Sequence, residues 1–236
     1  MKVLVVGFGS IGKRHVRNLI KMDCVDKIIV YTKTSIDFEG GCNKKLLFVN
    51  SSNVSLIELA VQWQIDFAII ANETYKHLDA AIVLAKRGID LFIEKPVSHN
   101  LEKIDYLEEI AHKQNIIVFV AYNLRYLPAI RYIREKITKK SLGKLYFARI
   151  EAGKYLPSWR PNISYVDSYS SKAEYGGGVS LDLSHEIDYM RYIFGDPESW
   201  KTIKSKTSKL DIDSDDLFEG IYKYNDGFIC SVHMDY

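Results

Sequence analysis

The feature that most constrains the fold is VLVVGFGSIGKRHVRNL, residues 3–19, where a short β-branched run feeds into three glycines and then a helical pattern. Gly7 permits a tight turn, Gly9 removes a Cβ from the path of a ligand's phosphates, and Gly12 lets the helix pack closely on the strand. The helix then opens with unpaired N–H groups that favour negative charge. A bare glycine pattern is weak evidence. Here it stands between a strand and a helix and ahead of further strand–helix units, which is the context a dinucleotide-binding turn requires.

Runs at 2–6, 27–31, 46–49, 66–71, 90–94 and 116–121 are short and rich in β-branched and aromatic residues, and helical patterns at 11–22, 54–64, 76–87 and 100–114 separate most of them. This alternation predicts an α/β Rossmann domain, a doubly wound parallel sheet covered on both faces. Parallel order follows because a crossover between parallel strands needs an intervening helix. Residues 34–45 read as an irregular loop.

Past Ala121 the pattern changes. A helix is expected over 128–138, opening at Pro128, and another over about 181–194. GKLYFARIEAG, TIKSKTSKL, DLFEGIYKY and GFICSVHMDY read as strands, with Asn225-Asp226-Gly227 closing an antiparallel hairpin. The expected organisation is a Rossmann domain over 1–121 and an α+β domain over 122–236 with a large, mostly antiparallel open sheet. The last strand stops at Tyr236 with no partner after it, so it reads as an edge or as the end of a truncated domain.

Of the 236 residues, 47% are hydrophobic and 26% charged, the balance of a soluble globular protein. A formal charge of +2 gives no basic face for nucleic acid, and no apolar run approaches the roughly 20 residues of a membrane span. The N-terminus reads as a strand and not as a signal peptide. Cys24, Cys42 and Cys230 are widely spaced and odd in number. They suit neither a disulfide framework nor a zinc site, so no metal and a cytoplasmic location are expected.

Three places carry chemistry. After the second strand, where NAD-binding chains usually offer an acid to the ribose, stands Tyr31-Thr32-Lys33-Thr34, with no acid before Asp37. The hydroxyl of Thr32 and the cation of Lys33 suit a 2′-phosphate, so the cofactor expected is NADP or NAD, leaning to NADP. At the carboxyl end of the fifth strand, Glu94-Lys95-Pro96 aims Lys95 toward the crevice where such sheets bind ligands. Pro96 holds Lys95 out of the helical region and opens the option of a cis bond. A lysine beside a cationic nicotinamide would have a lowered pKa, as proton transfer near neutrality requires. In EYGGGVSLDLSHEIDYMRYIFG, residues 174–195, the three glycines bring backbone close to something. Asp182 and His185, and His185 and Asp188, are each three apart on the expected helix and share a face.

Assembled, these marks resemble the Gfo/Idh/MocA oxidoreductases, the relatives of glucose-fructose oxidoreductase and inositol dehydrogenase. The matching stretches are GFGSIGKRH at 7–15, ANETYKH at 71–77, EKP at 94–96, YNLRYLPAIR at 122–131 and GGGVSLDLSHEID at 176–188. The resemblance implies hydride exchange between a nicotinamide and a sugar, sugar-nucleotide or polyol hydroxyl, with Lys95, Asp182 and His185 as catalytic residues. It implies Asn72 and His77 on the nicotinamide side, which with Gly7, Gly9, Ser10, Ile11, Gly12, Thr32, Lys33 and Glu94 makes up the expected cofactor contacts. It also implies a homo-oligomer formed through the C-terminal sheet. The aspartate stands one residue closer to the histidine than the family's D-x-x-x-H, which bears on Asp182 more than on His185.

The aromatic-rich segment 154–178 suits sugar stacking and hydrogen bonding, and Arg160 could grip a carboxylate or phosphate bidentately. Tyr122, Asn123, Arg125, Trp159, Arg160, Tyr165 and Asp188 are therefore the expected substrate contacts. The other reading is a non-catalytic NAD(P)-binding sensor or scaffold of the same fold.

Overall fold

The computed structural model describes residues 1–33, 43–160 and 163–236. Most of the expected loop over 34–45, with Thr34, Asp37 and Cys42, lies outside the described residues. The chain divides into two units, Met1–Ala121 and Tyr122–Tyr236.

In the first unit, β1 (Lys2–Val6), β2 (Lys27–Thr32), β3 (Leu46–Asn50), β4 (Phe67–Ile70), β5 (Asp90–Ile93) and β6 (Val118–Val120) pair in parallel in the order β3-β2-β1-β4-β5-β6. The order reverses between β1 and β4. That is the switch point at which doubly wound sheets bind ligands, outside the carboxyl ends of the strands. Side-chain alternation sends Leu4 and Val6 into one core and Val3 and Val5 into another, which is why β1 reads as one continuous apolar run. Helix α1 (Ser10–Ile20) packs Val16 and Leu19 into the second core. Helices α2 (Leu56–Trp63), α3 (His77–Ala85) and α4 (Ile104–Gln114) pack into the first. The start of α2 is set by a capping box, in which Ser55 and Glu58 each accept from the other's backbone N–H.

The second unit opens with a 3-10 turn over Asn123–Tyr126 and then α5 (Pro128–Thr138), whose limits are those its proline start predicts. Its sheet joins β7 (Phe147–Gly153), β8 (Ser199–Ser205), β9 (Leu217–Lys223) and β10 (Ile229–Asp235) in the order β7-β10-β9-β8. Pairings β8·β9 and β9·β10 are antiparallel and β7·β10 is parallel, so the sheet is mixed and has four strands among the described residues. The hairpin at Asn225-Asp226-Gly227 forms as expected: Gly227 takes φ +83, and Phe228 N–H donates to Asp226 Oδ1 at 3.1 Å. One sheet face packs Phe218, Tyr222, Cys230, Val232 and Met234 against Val179 and Met190.

The helix expected over 181–194 is interrupted. A short turn, α6 (Val179–Asp182), is tied to Asp215 through the Val179 and Ser180 N–H groups at 2.8 and 2.9 Å. Leu183 (φ −100, ψ 25) leaves the helical region, and α7 (Ser184–Phe194) starts afresh. Asp182 and His185 therefore do not share one continuous helical face, a correction to the spacing argument. Asp188 lies on α7 with His185 and keeps the three-residue offset.

Candidate functional site

The glycine turn of the first unit has the geometry its spacing predicts. Gly7 takes φ +95, and a Cβ there would fall 2.6 Å from the Ala71 oxygen and the Asn72 backbone. A Cβ on Gly12 would fall 2.3 Å from the Gly7 oxygen, so this glycine is where α1 meets the turn. Gly9 differs: a Cβ there meets nothing within 4 Å. Two glycines are thus needed for packing, and the third borders open space at the start of α1, which begins at Ser10 and Ile11. Across the switch point, after β4, Asn72 donates to the Lys76 carbonyl at 3.4 Å, while its buried Oδ1 has no hydrogen-bond partner among the described residues. An open glycine cradle at a helix start with an unsatisfied amide oxygen at the same strand ends fits a dinucleotide with polar hydrogens to offer.

Glu94, Lys95 and Pro96 follow β5 and are held from both sides. The His15 Nε2 on α1 lies 2.7 Å from Glu94 Oε1, and Glu94 Oε2 accepts the Lys95 N–H at 3.3 Å. His77, at the start of α3 and 2% exposed, has Nδ1 2.9 Å from the Pro96 carbonyl oxygen and Nε2 3.0 Å from that of Asn72. Burial lowers the His77 pKa, against the opposing pull of the two carbonyls and of Glu94. The Lys95–Pro96 bond is cis, the option raised by the sequence. His77, expected on the cofactor, is a buried tie between the loops that follow β4 and β5. Thr32 is buried and Lys33 exposed. The Tyr31 hydroxyl donates to the Val54 carbonyl at 3.0 Å.

In the second unit Asp182 is 7% exposed and accepts from Tyr236 at 2.7 Å and from Tyr169. Burial and then the Asp182 charge push both phenols well above their usual pKa, so they stay protonated donors. His185 meets the Tyr122 ring edge-on at 5.7 Å. Arg125 and Asp188, both expected on substrate, grip each other bidentately at 2.8 and 2.6 Å. Asn123 is exposed in the same 3-10 turn as Arg125. The Tyr165 hydroxyl accepts from the Asp211 N–H at 3.3 Å. Trp159 donates from Nε1 to the Lys154 carbonyl at 2.6 Å and packs edge-on against Tyr236 at 5.3 Å. Arg160 lies over the Tyr169 ring at 4.9 Å and donates to Ser170 Oγ at 3.3 Å. Trp159 and Arg160 thereby border a cavity of about 540 Å³ together with Lys154 and Leu183.

Two of the three glycines press against the chain itself. A Cβ on Gly177 would fall 2.3 Å from the Tyr169 oxygen, and one on Gly178 2.5 Å from Asp215 Oδ1. Sequence reasoning did not single out His15, Tyr169, Lys154 or Tyr236; His15 and Tyr236 meet partners 79 and 54 positions away, which no local spacing signals. Among the described residues no group of three or more His, Cys, Asp or Glu is arranged to hold a metal ion, and no helix is long and apolar enough to cross a membrane.

Residues 1–122 match the family described as the GFO/IDH/MocA oxidoreductase family with an NAD-binding Rossmann fold, and residues 130–236 match the GFO/IDH/MocA C-terminal domain. The myo-inositol 2-dehydrogenase of Thermotoga maritima is 29% identical over 198 residues, covering 83% of this chain and 55% of that protein. A solved myo-inositol 2-dehydrogenase from Lactobacillus plantarum aligns with a TM-score of 0.83 at 21% identity, covering 99% of this chain and 69% of that one. The WlbA dehydrogenase from Bordetella pertussis, solved with NADH and UDP-GlcNAcA, aligns with a TM-score of 0.84 at 17% identity, covering 99% and 66%. At such identities the solved structures establish the fold. The chain spans about half the length of the curated relatives it matches.

Proposed function

The chain belongs to the GFO/IDH/MocA oxidoreductase family, and from that premise we propose that it serves hydride exchange between a nicotinamide cofactor and a sugar, sugar-nucleotide or polyol hydroxyl or carbonyl. The observation that carries this reading is the open space beside Gly9, set between two glycines that packing requires, with the buried Asn72 Oδ1 at the same strand ends. The relatives named myo-inositol 2-dehydrogenase support a polyol or sugar substrate. Gly7, Gly9, Ser10, Ile11, Gly12 and Asn72 would hold the cofactor. An exposed Lys33, with no acid from Tyr31 to Lys33, supports NADP over NAD.

A bound nicotinamide would supply the acceptor or donor of the hydride. The rest falls to side chains. In the first unit Lys95 gives or takes the proton of the reacting oxygen. Glu94 and Pro96, each tied by a histidine, fix the backbone on either side of it. In the second unit His185 is a second proton-transfer residue of this reading. Asp182 acts as the buried anion that orders Tyr169 and Tyr236. The free thiols of Cys24 and Cys230 support a reducing, cytoplasmic setting. Exposed Phe147, Ile203, Ile221 and Ile229 alternate onto the sheet face opposite the buried core and support assembly through that sheet.

The test is Lys95→Met assayed on a panel of neutral and acidic sugars and polyols, myo-inositol among them. NADH binding should persist while turnover falls by about 100-fold or more, the usual contribution of a positioned acid or base. Unchanged turnover would remove Lys95 from proton transfer. A joint loss of turnover and NADH binding would make its role structural.

A further inference from the structure

The cavity of about 540 Å³ in the second unit falls in the size range of small-molecule sites, roughly 300–1,000 Å³. Its lining has an imbalance of charge that a neutral polyol does not need. Lys154 and Arg160 border it as cations, and the one carboxylate on its wall, Glu151, is already engaged by Arg149 from the same strand. Neither Lys154 nor Arg160 forms an ion pair among the described residues.

Both of the larger lining side chains are held in place. The Arg160 guanidinium lies over Tyr169 and donates a hydrogen bond to Ser170, which is wholly buried. A guanidinium has five N–H donors in a fixed fork, so it keeps donors for an oxyanion. The Trp159 indole is fixed by its N–H on the Lys154 carbonyl and by its edge contact with Tyr236, and it presents apolar surface to the same cavity. The hydrogen bond from Trp159 to the Lys154 carbonyl also ties the two residues' positions together. An aromatic surface beside a planar fork and an ammonium suits a ligand that is part sugar ring and part anion.

We propose that this cavity receives the acidic group, carboxylate or phosphate, of an anionic sugar, with Arg160 and Lys154 on the anion and Trp159 against the ring. The assignment rests on the dehydrogenase reading and narrows its substrate class from sugars and polyols at large to acidic ones. Trp159 is then a specificity residue for ring shape, and Arg160 and Lys154 are specificity residues for charge.

Isothermal titration of the full chain with glucuronate, glucose 6-phosphate and glucose at low ionic strength tests this, with NADH and NADPH titrations run on every sample. At least one anionic sugar should bind about tenfold or more tightly than glucose, the gain expected from charge-assisted hydrogen bonds. Preference for glucuronate alone identifies a carboxylate, and preference for glucose 6-phosphate alone a phosphate. Arg160→Met should abolish the preference, and Lys154→Met, a change at an exposed side chain that leaves folding intact, should reduce it; NADH affinity should stay unchanged in both. Equal binding of all three sugars, or a preference that survives both substitutions, overturns the proposal. So does absence of sugar binding in a chain that binds NADH or NADPH. An anion preference in a chain that binds neither NADH nor NADPH would support the cavity assignment and overturn the dehydrogenase reading.

Discussion

His77 Nδ1 lies 2.9 Å from the Pro96 carbonyl oxygen, nineteen positions along the chain, and the other ring nitrogen faces the Asn72 carbonyl at 3.0 Å. One buried imidazole thus spans the loops after β4 and β5. On the other side of Lys95, His15 reaches Glu94 from α1. The lysine lies between two tethers that belong to different helices, and its backbone has little freedom to drift from the crevice.

His77→Ala should destabilise the first unit by about 2–4 kcal/mol, the cost of a buried carbonyl left without its N–H donor together with the space left behind. The pH dependence has a definite sign. The folded state holds His77 below its usual pKa, so the unfolded chain binds the extra proton first. Stability should therefore be full above about pH 6.5 and fall as pH drops toward the lowered folded value. Denaturant midpoints at pH 7.5 and 5.5 check this, and His77→Gln should flatten the difference.

Gly9→Ala and Gly12→Ala should separate binding from folding. Gly9 has φ −71 and ψ −166, extended backbone that alanine accepts, and its Cβ would stand in open space. The unfolding midpoint should hold within about 0.5 kcal/mol, while NADH affinity falls about tenfold or more from a methyl in the phosphate path. Gly12→Ala drives a Cβ against the Gly7 oxygen, so thermal stability should fall before binding can be judged.

Arg125→Met should cost about 1–3 kcal/mol in chemical denaturation, because it leaves the Asp188 carboxylate buried without its cation. The figure is kept below that of a fully buried pair since the Arg125 side chain is 43% exposed and screened by solvent. Arg125→Met combined with Asp188→Leu should recover part of the loss. No recovery would mean that Arg125 acts through its packing on Tyr192.

Legibility in the sequence followed range. The six parallel strands, the glycine turn and the hairpin at Asp226-Gly227 depend on period and turn chemistry within a few residues, and they stand where those signals put them. The helix over 181–194 failed at Leu183 because its first turn answers to Asp215, more than thirty positions away. Arg125 and Asp188 were noticed for their chemistry, but nothing local announced that each would be the other's partner. Tyr236 and Asp182, separated by 54 positions, are another case of the same kind. The triple glycine signalled close backbone approach correctly. What it approaches, the Tyr169–Ser170 backbone and Asp215, only the packed structure reveals.

The most direct measurement is a fluorescence titration of the purified chain with NADH and NADPH side by side. Saturable binding of at least one is predicted, with NADPH the tighter of the two and Lys33→Ala removing that difference. Absence of binding to either would contradict the account at its centre, since the cradle around Gly9 would then be a glycine turn without a ligand.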